Sequence, residues 1–201
     1  MNNEQKIIVG VYVKLTIAIT GASGVIYGKR LLEVLQNKKI ETHLVISQAA
    51  KKIINHELGT SEKSLEKLAN YIYEVNDWNS PIVSGSFKTD GMVIVPCSMK
   101  TAAGIANGFA VNVILRAADV MLKEKRKLVL VPRETPVNIG HLRNMLDLAN
   151  RGVMIVPAMP AFYHKPKKID DLVDFVVGRI LDLLEIDHNL YQRWQEVQKT
   201  D

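Results

Sequence analysis

The chain has 201 residues, 47% of them hydrophobic, which is enough for one sizeable core and rather short for two, so a single domain is expected. Its net charge of +5 comes from Lys and Arg scattered among 21 acids; with no basic runs interleaved with aromatics, this favours anionic small molecules over a nucleic-acid groove. One cysteine excludes an intrachain disulfide and a cysteine-rich metal site, and no apolar run approaches the ~18 residues that span a bilayer, which together suit the cytoplasm and no membrane.

Residues 1–13 carry a short apolar patch with no small-residue cleavage site after it, and read as an N-terminal extension rather than a signal peptide. Lys14 to Ile19 is β-rich and runs into Thr20-Gly21-Ala22-Ser23-Gly24, with Tyr27-Gly28 opening a helix pattern through Arg30, Leu31, Leu32, Val34 and Leu35. A glycine turn of this kind lets backbone approach a phosphate closely. The spacing is not G-x-G-x-x-G, however, and a tight turn without a ligand is the alternative. The next strand, Glu41–Ile46, ends in Ser47 where a dinucleotide site would want an acidic residue for a ribose hydroxyl. A hydroxyl there suits a mononucleotide, or serves simply as N-cap of a helix over Gln48–Leu58. Glu57, about 100° round that helix from His56, reads on its own as a solvated carboxylate. Ser61 to Leu68 gives a short helix capped by Ser61, followed by a polar loop, Asn76–Pro81 and Ser84–Phe87, that lines a site or merely packs Trp78.

Gly91–Pro96 is a continuous apolar strand ended by proline, so Ser98, Thr101 and the nearby N–H groups fall at a helix start, an anion-binding arrangement. Cys97 reads as a packed thiol rather than a nucleophile. Ala102–Gly108 is a helical segment of small residues. Asn112–Glu124 is a second helix on which Asp119 and Lys123 form an i, i+4 pair, so Lys123 alone implies a surface salt bridge. Lys127–Val131 is a buried strand that Pro132 ends, with Arg133 and Glu134 emerging at the rim where parallel sheets collect ligands. His141–Arg151 is an amphipathic helix stopped by Gly152, Val153–Val156 a strand stopped by Pro157, and Pro157–Pro166 a proline-stiffened loop presenting Phe162 and Tyr163. Ile169–Leu184 is a helix carrying Arg179, and Leu190–Gln198 a short terminal helix with Trp194. Strands alternating with helices predict a three-layer, Rossmann-like (flavodoxin-like) doubly wound parallel sheet in one domain over residues 14–201.

Taken in order, Thr20-Gly-Ala-Ser-Gly24, Ser47, Pro96-Cys-Ser-Met-Lys-Thr101, Arg116-Ala-Ala-Asp119, Pro132-Arg-Glu-Thr-Pro136, Pro160-Ala-Phe-Tyr163 and Val173-Asp-Phe-Val-Val-Gly-Arg179 resemble the flavin prenyltransferase (UbiX-like) family. The resemblance covers nearly the whole chain. It implies a metal-independent prenyltransferase that joins the dimethylallyl group of dimethylallyl monophosphate to N5 and C6 of reduced FMN, the product serving a UbiD-type decarboxylase in ubiquinone biosynthesis or aromatic-acid decarboxylation. It also implies a homo-oligomer, typically a dodecamer, with sites at subunit junctions.

By the same motifs Gly21, Ala22, Ser23, Ser47, Ser98, Met99, Lys100, Thr101 and Arg133 are expected to bind FMN. Arg116, Lys123, Arg133, Glu134, Tyr163 and Arg179 are expected around the dimethylallyl phosphate, with Ser23, Glu57, Lys123 and Glu134 catalytic. The residue types suit the chemistry. Fixed cations stabilise a departing phosphate, and Glu134 beside it is expected either to pair with an arginine or to hold a proton. Two other readings are an FMN-binding accessory subunit of an aromatic-acid decarboxylase and a flavin-dependent cysteine decarboxylase. The second wants a Pro-Ala-Met-Asn loop and a histidine ahead of the central strand, whereas this chain has Pro157-Ala-Met-Pro160 and no histidine between His56 and His141.

Overall fold

The computed structural model describes residues 13–194. Six strands, β1 (Lys14–Ile19), β2 (Glu41–Ile46), β3 (Tyr71–Tyr73), β4 (Gly91–Cys97), β5 (Lys127–Pro132) and β6 (Met154–Ile155), form one parallel sheet in the order β3-β2-β1-β4-β5-β6. The helices are α1 (Val25–Asn37), α2 (Gln48–Leu58), α3 (Glu62–Glu66), α4 (Met99–Ala106), α5 (Val113–Lys123), α6 (Ile139–Asn150) and α7 (Ile169–Leu183). The expected three-layer, doubly wound α/β fold is present. Among the described residues no helix is long and apolar enough to cross a membrane.

Strand periodicity divides the core between the two faces. Ile17, Ile19, Val93, Val95, Val129 and Val131 pack with α1, α2 and α7 on one face. Ala18, Met92, Ile94, Leu128 and Leu130 alternate with them and pack with α4, α5 and α6 on the other. Helix α1 sits unusually close to the sheet, because a Cβ added at Gly28 would lie 2.6 Å from the Val95 carbonyl oxygen. The chain winds outward from β1 through β2 to β3, then crosses to β4 and winds the other way, so strand order reverses between β1 and β4. That reversal opens a crevice at the carboxyl ends of the strands.

Several expectations need correction. Strand β4 runs through Pro96 to Cys97, and proline's missing N–H shows instead as a register shift between Ile94 and Cys97. Pro132 likewise belongs to β5. Strand β3 was not anticipated: it is three residues long at the sheet edge with Tyr71 and Ile72 exposed, so it has no burial pattern to read. The Asp119–Lys123 pair does not form, since Arg116 Nη1 takes Asp119 at 2.6 Å and Lys123 pairs with Glu124. Ser61 stands at the start of α3 without a side-chain cap bond. Helix α6 begins at Ile139, capped by Asn138. Of the expected terminal helix, Leu190 to Arg193 is irregular and 195–198 lie outside the described residues, as do residues 1–12 of the N-terminal extension.

Candidate active site

The crevice is built where β1, β2 and β4 stop. Thr20, 2% exposed at the end of β1, donates its hydroxyl to the Pro96 carbonyl at 2.9 Å and accepts the Ser98 N–H at 2.8 Å. One side chain thus fixes the spacing of the two central strand ends. Ser98 Oγ accepts the Thr101 N–H at 3.3 Å and lies 3.0 Å from Thr101 Oγ1, so α4 starts at the crevice with the Met99 and Lys100 N–H groups lacking intrahelical partners. Ser47 caps α2 in the same way, accepting from Ala50 N–H at 3.2 Å. Two helix N-termini therefore meet at one cleft, each adding partial positive charge there.

The cleft has a volume of about 390 Å³. Its floor is Thr20, Gly21, Ser47 and Ala49, and Ser98, Lys100 and Thr101 line one side. Val75 and Asn76 with Asn112, Ile114 and Leu115 complete the lining, the two segments joined by the Val113 N–H bond to the Val75 carbonyl at 2.9 Å. Among the described residues no carboxylate lines it. At Gly21 an added Cβ would stand 2.6 Å from the Ala49 Cβ, so only backbone fits between turn and helix. Cys97 is fully buried beneath, and burial pushes its thiol up to about 12, which makes it the packed residue expected.

A second cluster forms at the edge of this cleft. Glu57 reaches from the end of α2 to the start of α1, accepting the Gly24 N–H at 2.9 Å and the Val25 N–H at 3.1 Å. Gly24, in the left-handed region at φ 98, has no side chain to cap the helix, and Glu57 does so from a distance. Its neighbour Ser23 is exposed, and Arg133 Nε donates to the Ser23 carbonyl at 3.3 Å, joining the loop after β5 to the glycine turn. The Glu57 bonds go to backbone and not to the Ser23 hydroxyl. Glu134 is exposed, its Oε1 accepting the Thr135 N–H at 3.1 Å, and none of Arg116, Arg133 and Arg179 pairs with it. Met99 is 6% exposed, its side chain in the core and not among the residues that line the cleft.

The remaining expected residues lie elsewhere on the protomer. Arg116, in the first turns of α5, donates to the Val83 carbonyl at 3.2 Å and to Asp119. Lys123 closes the same 11-residue helix, which places it about 15 Å from Val113, beside Gly85 and close to where the chain enters the amino-terminal end of β5. Arg179 is about 15 Å along α7 from Ile169, toward the end where Leu184 meets the first residue of β4, Gly91. Tyr163 packs edge-on to Phe175 and Trp194. Conversely, Thr20, Gln48, Asn76 and Asn112 belong to the cleft without having been singled out as ligands. Thr20 stood in the glycine-turn motif and Asn76 in the polar loop, whereas nothing in the sequence pointed to Gln48 or to Asn112, which the structure shows as the N-cap of α5.

The switch-point cleft and its converging helix ends define a mononucleotide-binding α/β protein, and residues 10–181 match the sequence profile of the family described as Flavoprotein. A flavin prenyltransferase UbiX from Methanocaldococcus jannaschii is 54% identical over 92% of this chain and 100% of its own length. One from Thauera aromatica is 46% identical over 90% of this chain and 93% of its own. Among solved structures, AnUbiX in complex with FMN and dimethylallyl pyrophosphate superposes with a TM-score of 0.89 at 47% identity, covering 90% of this chain and 97% of that one. A dodecameric FMN-dependent UbiX-like decarboxylase from Escherichia coli has a TM-score of 0.89 at 49% identity, covering 91% and 100%. The chain belongs to the flavin prenyltransferase (UbiX) family. The peptidyl-cysteine decarboxylase EpiD, at 20% identity and a TM-score of 0.62 over 87% of this chain and 99% of its own, shares the fold alone.

Proposed function

We infer that this chain is a flavin prenyltransferase, joining a dimethylallyl group from dimethylallyl monophosphate to N5 and C6 of reduced FMN. The observation that carries this reading is the cleft itself: two helix N-termini, the hydroxyls of Ser47, Ser98 and Thr101, and Lys100 converge with no carboxylate among them. That donor set fits a phosphate on a mononucleotide, and the volume falls within the range of small-molecule sites. When bound, FMN supplies the two nucleophilic ring positions that accept the prenyl group. Gly21, Ala22 and Ser23 are proposed to hold it at the first turn, with Ser47, Ser98, Met99 (through backbone), Lys100, Thr101 and Arg133 completing its contacts.

Arg116, Lys123, Arg133, Glu134, Tyr163 and Arg179 are proposed to enclose the dimethylallyl phosphate. Breaking the allylic C–O bond leaves its charge on phosphate, which fixed guanidinium and ammonium groups stabilise without solvent reorganisation. Glu134, bearing no arginine partner in the isolated protomer, is proposed to hold a proton for the leaving group. Ser23 and Glu57 are proposed to take up a proton, the Ser23 hydroxyl passing it to a carboxylate already anchored on the α1 N-terminus.

Neither Lys123 nor Arg179 is among the residues lining their own protomer's cleft, so the site would be completed by neighbouring copies in a dodecamer. The separation of these residues supports that assembly. A UbiD-type decarboxylase is the proposed recipient of the product, in the cytoplasm. The donor is read as the monophosphate, and the pyrophosphate is the competing donor to be compared.

The test is anaerobic incubation with reduced FMN and either donor, followed by mass analysis of the flavin. The expected result is a dimethylallyl adduct from the monophosphate. Glu134→Ala should keep FMN binding and lose at least roughly 100-fold in rate, the scale of a general acid. No adduct from the wild type with either donor would favour a flavin carrier instead.

A further inference from the structure

On α7, Asp182 lies one turn beyond Arg179 and collects four donors on its two oxygens. Arg179 Nη1 reaches Oδ2 at 2.8 Å and the Tyr191 hydroxyl donates to Oδ2 at 2.6 Å. His188 Nε2 lies 3.1 Å from Oδ1 and Arg193 Nη2 reaches Oδ1 at 2.8 Å. The Leu190 N–H donates to His188 Nδ1 at 3.2 Å, which leaves Nε2 as the protonated nitrogen that donates to Asp182. Arg179 Nη1 is also 3.4 Å from the Tyr191 hydroxyl oxygen, so carboxylate and phenol hold one corner of the guanidinium between them. Asp182 is 17% exposed and His188 2% exposed at the side chain, while Arg179 is 46% exposed: a half-buried carboxylate and a buried imidazole under an accessible cation.

The sequence spends a helix-interior glycine on this arrangement. A Cβ at Gly178 would stand 2.5 Å from the Tyr191 ring and 2.7 Å from the His188 ring, so any other residue there would force both rings to shift from their present seats on α7. Burial opposes ionisation of Asp182, but hydrogen bonds from Arg193, Tyr191 and His188 outweigh it and bring the carboxyl down to about 2. Asp182 therefore stays anionic, and two arginines against one carboxylate leave a surplus of positive charge.

We propose that Asp182 and Tyr191 are positioning residues for Arg179, and that the 186–193 segment folds back on α7 to aim its guanidinium at the phosphate of the prenyl donor in a neighbouring copy's cleft. An arginine on a free side chain must be ordered at each binding event, whereas one held at Nη1 presents its remaining N–H groups already oriented. The inference rests on the prenyl-transfer reading. It assigns a role to residues outside the motifs that carry the resemblance.

The test uses full-length protein loaded with FMN, with calorimetric affinity for dimethylallyl monophosphate as well as kcat and KM. Asp182→Asn is expected to weaken donor affinity and raise KM about tenfold, with FMN affinity changed less than about twofold, and Tyr191→Phe to raise KM a few-fold with its ring still on Gly178. In an Arg179→Ala background, Asp182→Asn should add less than about twofold, because the group it positions is gone. Unchanged donor affinity in both single variants, or an Asp182→Asn penalty that persists in full without Arg179, would overturn the proposal. If Asp182→Asn fails to fold, Tyr191→Phe decides alone. No adduct from the wild type would instead overturn the functional reading, and this inference with it.

Discussion

Thr20→Val removes one hydroxyl and nearly nothing else, so its cost follows from the bonds at the β1–β4 junction. The Ser98 N–H loses the acceptor at 2.8 Å, while the Pro96 carbonyl loses the bond at 2.9 Å but keeps the Thr20 N–H at 3.2 Å. Orphaning a buried donor costs about 1–3 kcal/mol, and losing one of two bonds at a carbonyl about 0.5–1.5 kcal/mol. Thr20 itself is 2% exposed but Ser98 lines the cleft, so the sum, about 1.5–4.5 kcal/mol, is an upper range. Urea unfolding at fixed protomer concentration should show a lower midpoint with an unchanged slope. Because Ser98 opens α4, FMN affinity should fall as well. Thr20→Ser keeps the hydroxyl and should lie within about 1 kcal/mol of wild type. A Thr20→Val protein as stable as the wild type, or a Thr20→Ser protein as weak as Thr20→Val, would refute the reasoning.

Two further outcomes are expected. Asp182 has a folded pKa depressed to about 2 against an unfolded value of about 3.9, so the unfolded chain binds more protons between them. Its stabilising contribution is complete above about pH 5 and is lost as pH falls through about 2; the stability gap between wild type and Asp182→Asn should be flat from pH 5 to 7 and narrow below about 4. Acid titrations of both proteins measure this, and a gap that stays constant down to pH 2 contradicts it. Cys97, wholly buried with its thiol raised to about 12, should resist a thiol reagent at pH 8 in the native protein and react fully in denaturant. Quick labelling of folded protein would show the end of β4 to be open.

Local chemistry carried much of this protein. The runs Lys14–Ile19, Glu41–Ile46 and Gln48–Leu58 announce their own limits, because strand burial and helix capping depend on residues within a few positions. Alternation of such runs was enough for a doubly wound sheet, and hydroxyls at strand ends were enough for a cleft that takes a phosphate. Tertiary structure decided which charges meet. Glu57 looked like a solvated helix carboxylate until the approach of α2 to α1 gave it two backbone donors, and Asp119 chose Arg116 over Lys123. The two-residue contrast between Lys100 and Lys123 is the clearest case: both are basic residues on helices near the sheet, yet one opens its helix at the rim of the cleft and the other closes its helix near the start of β5, at the opposite ends of the strands. Spacing along a chain fixes neighbours on one element. Which end of the sheet a side chain occupies depends on how the elements are stacked, and only the folded chain sets that.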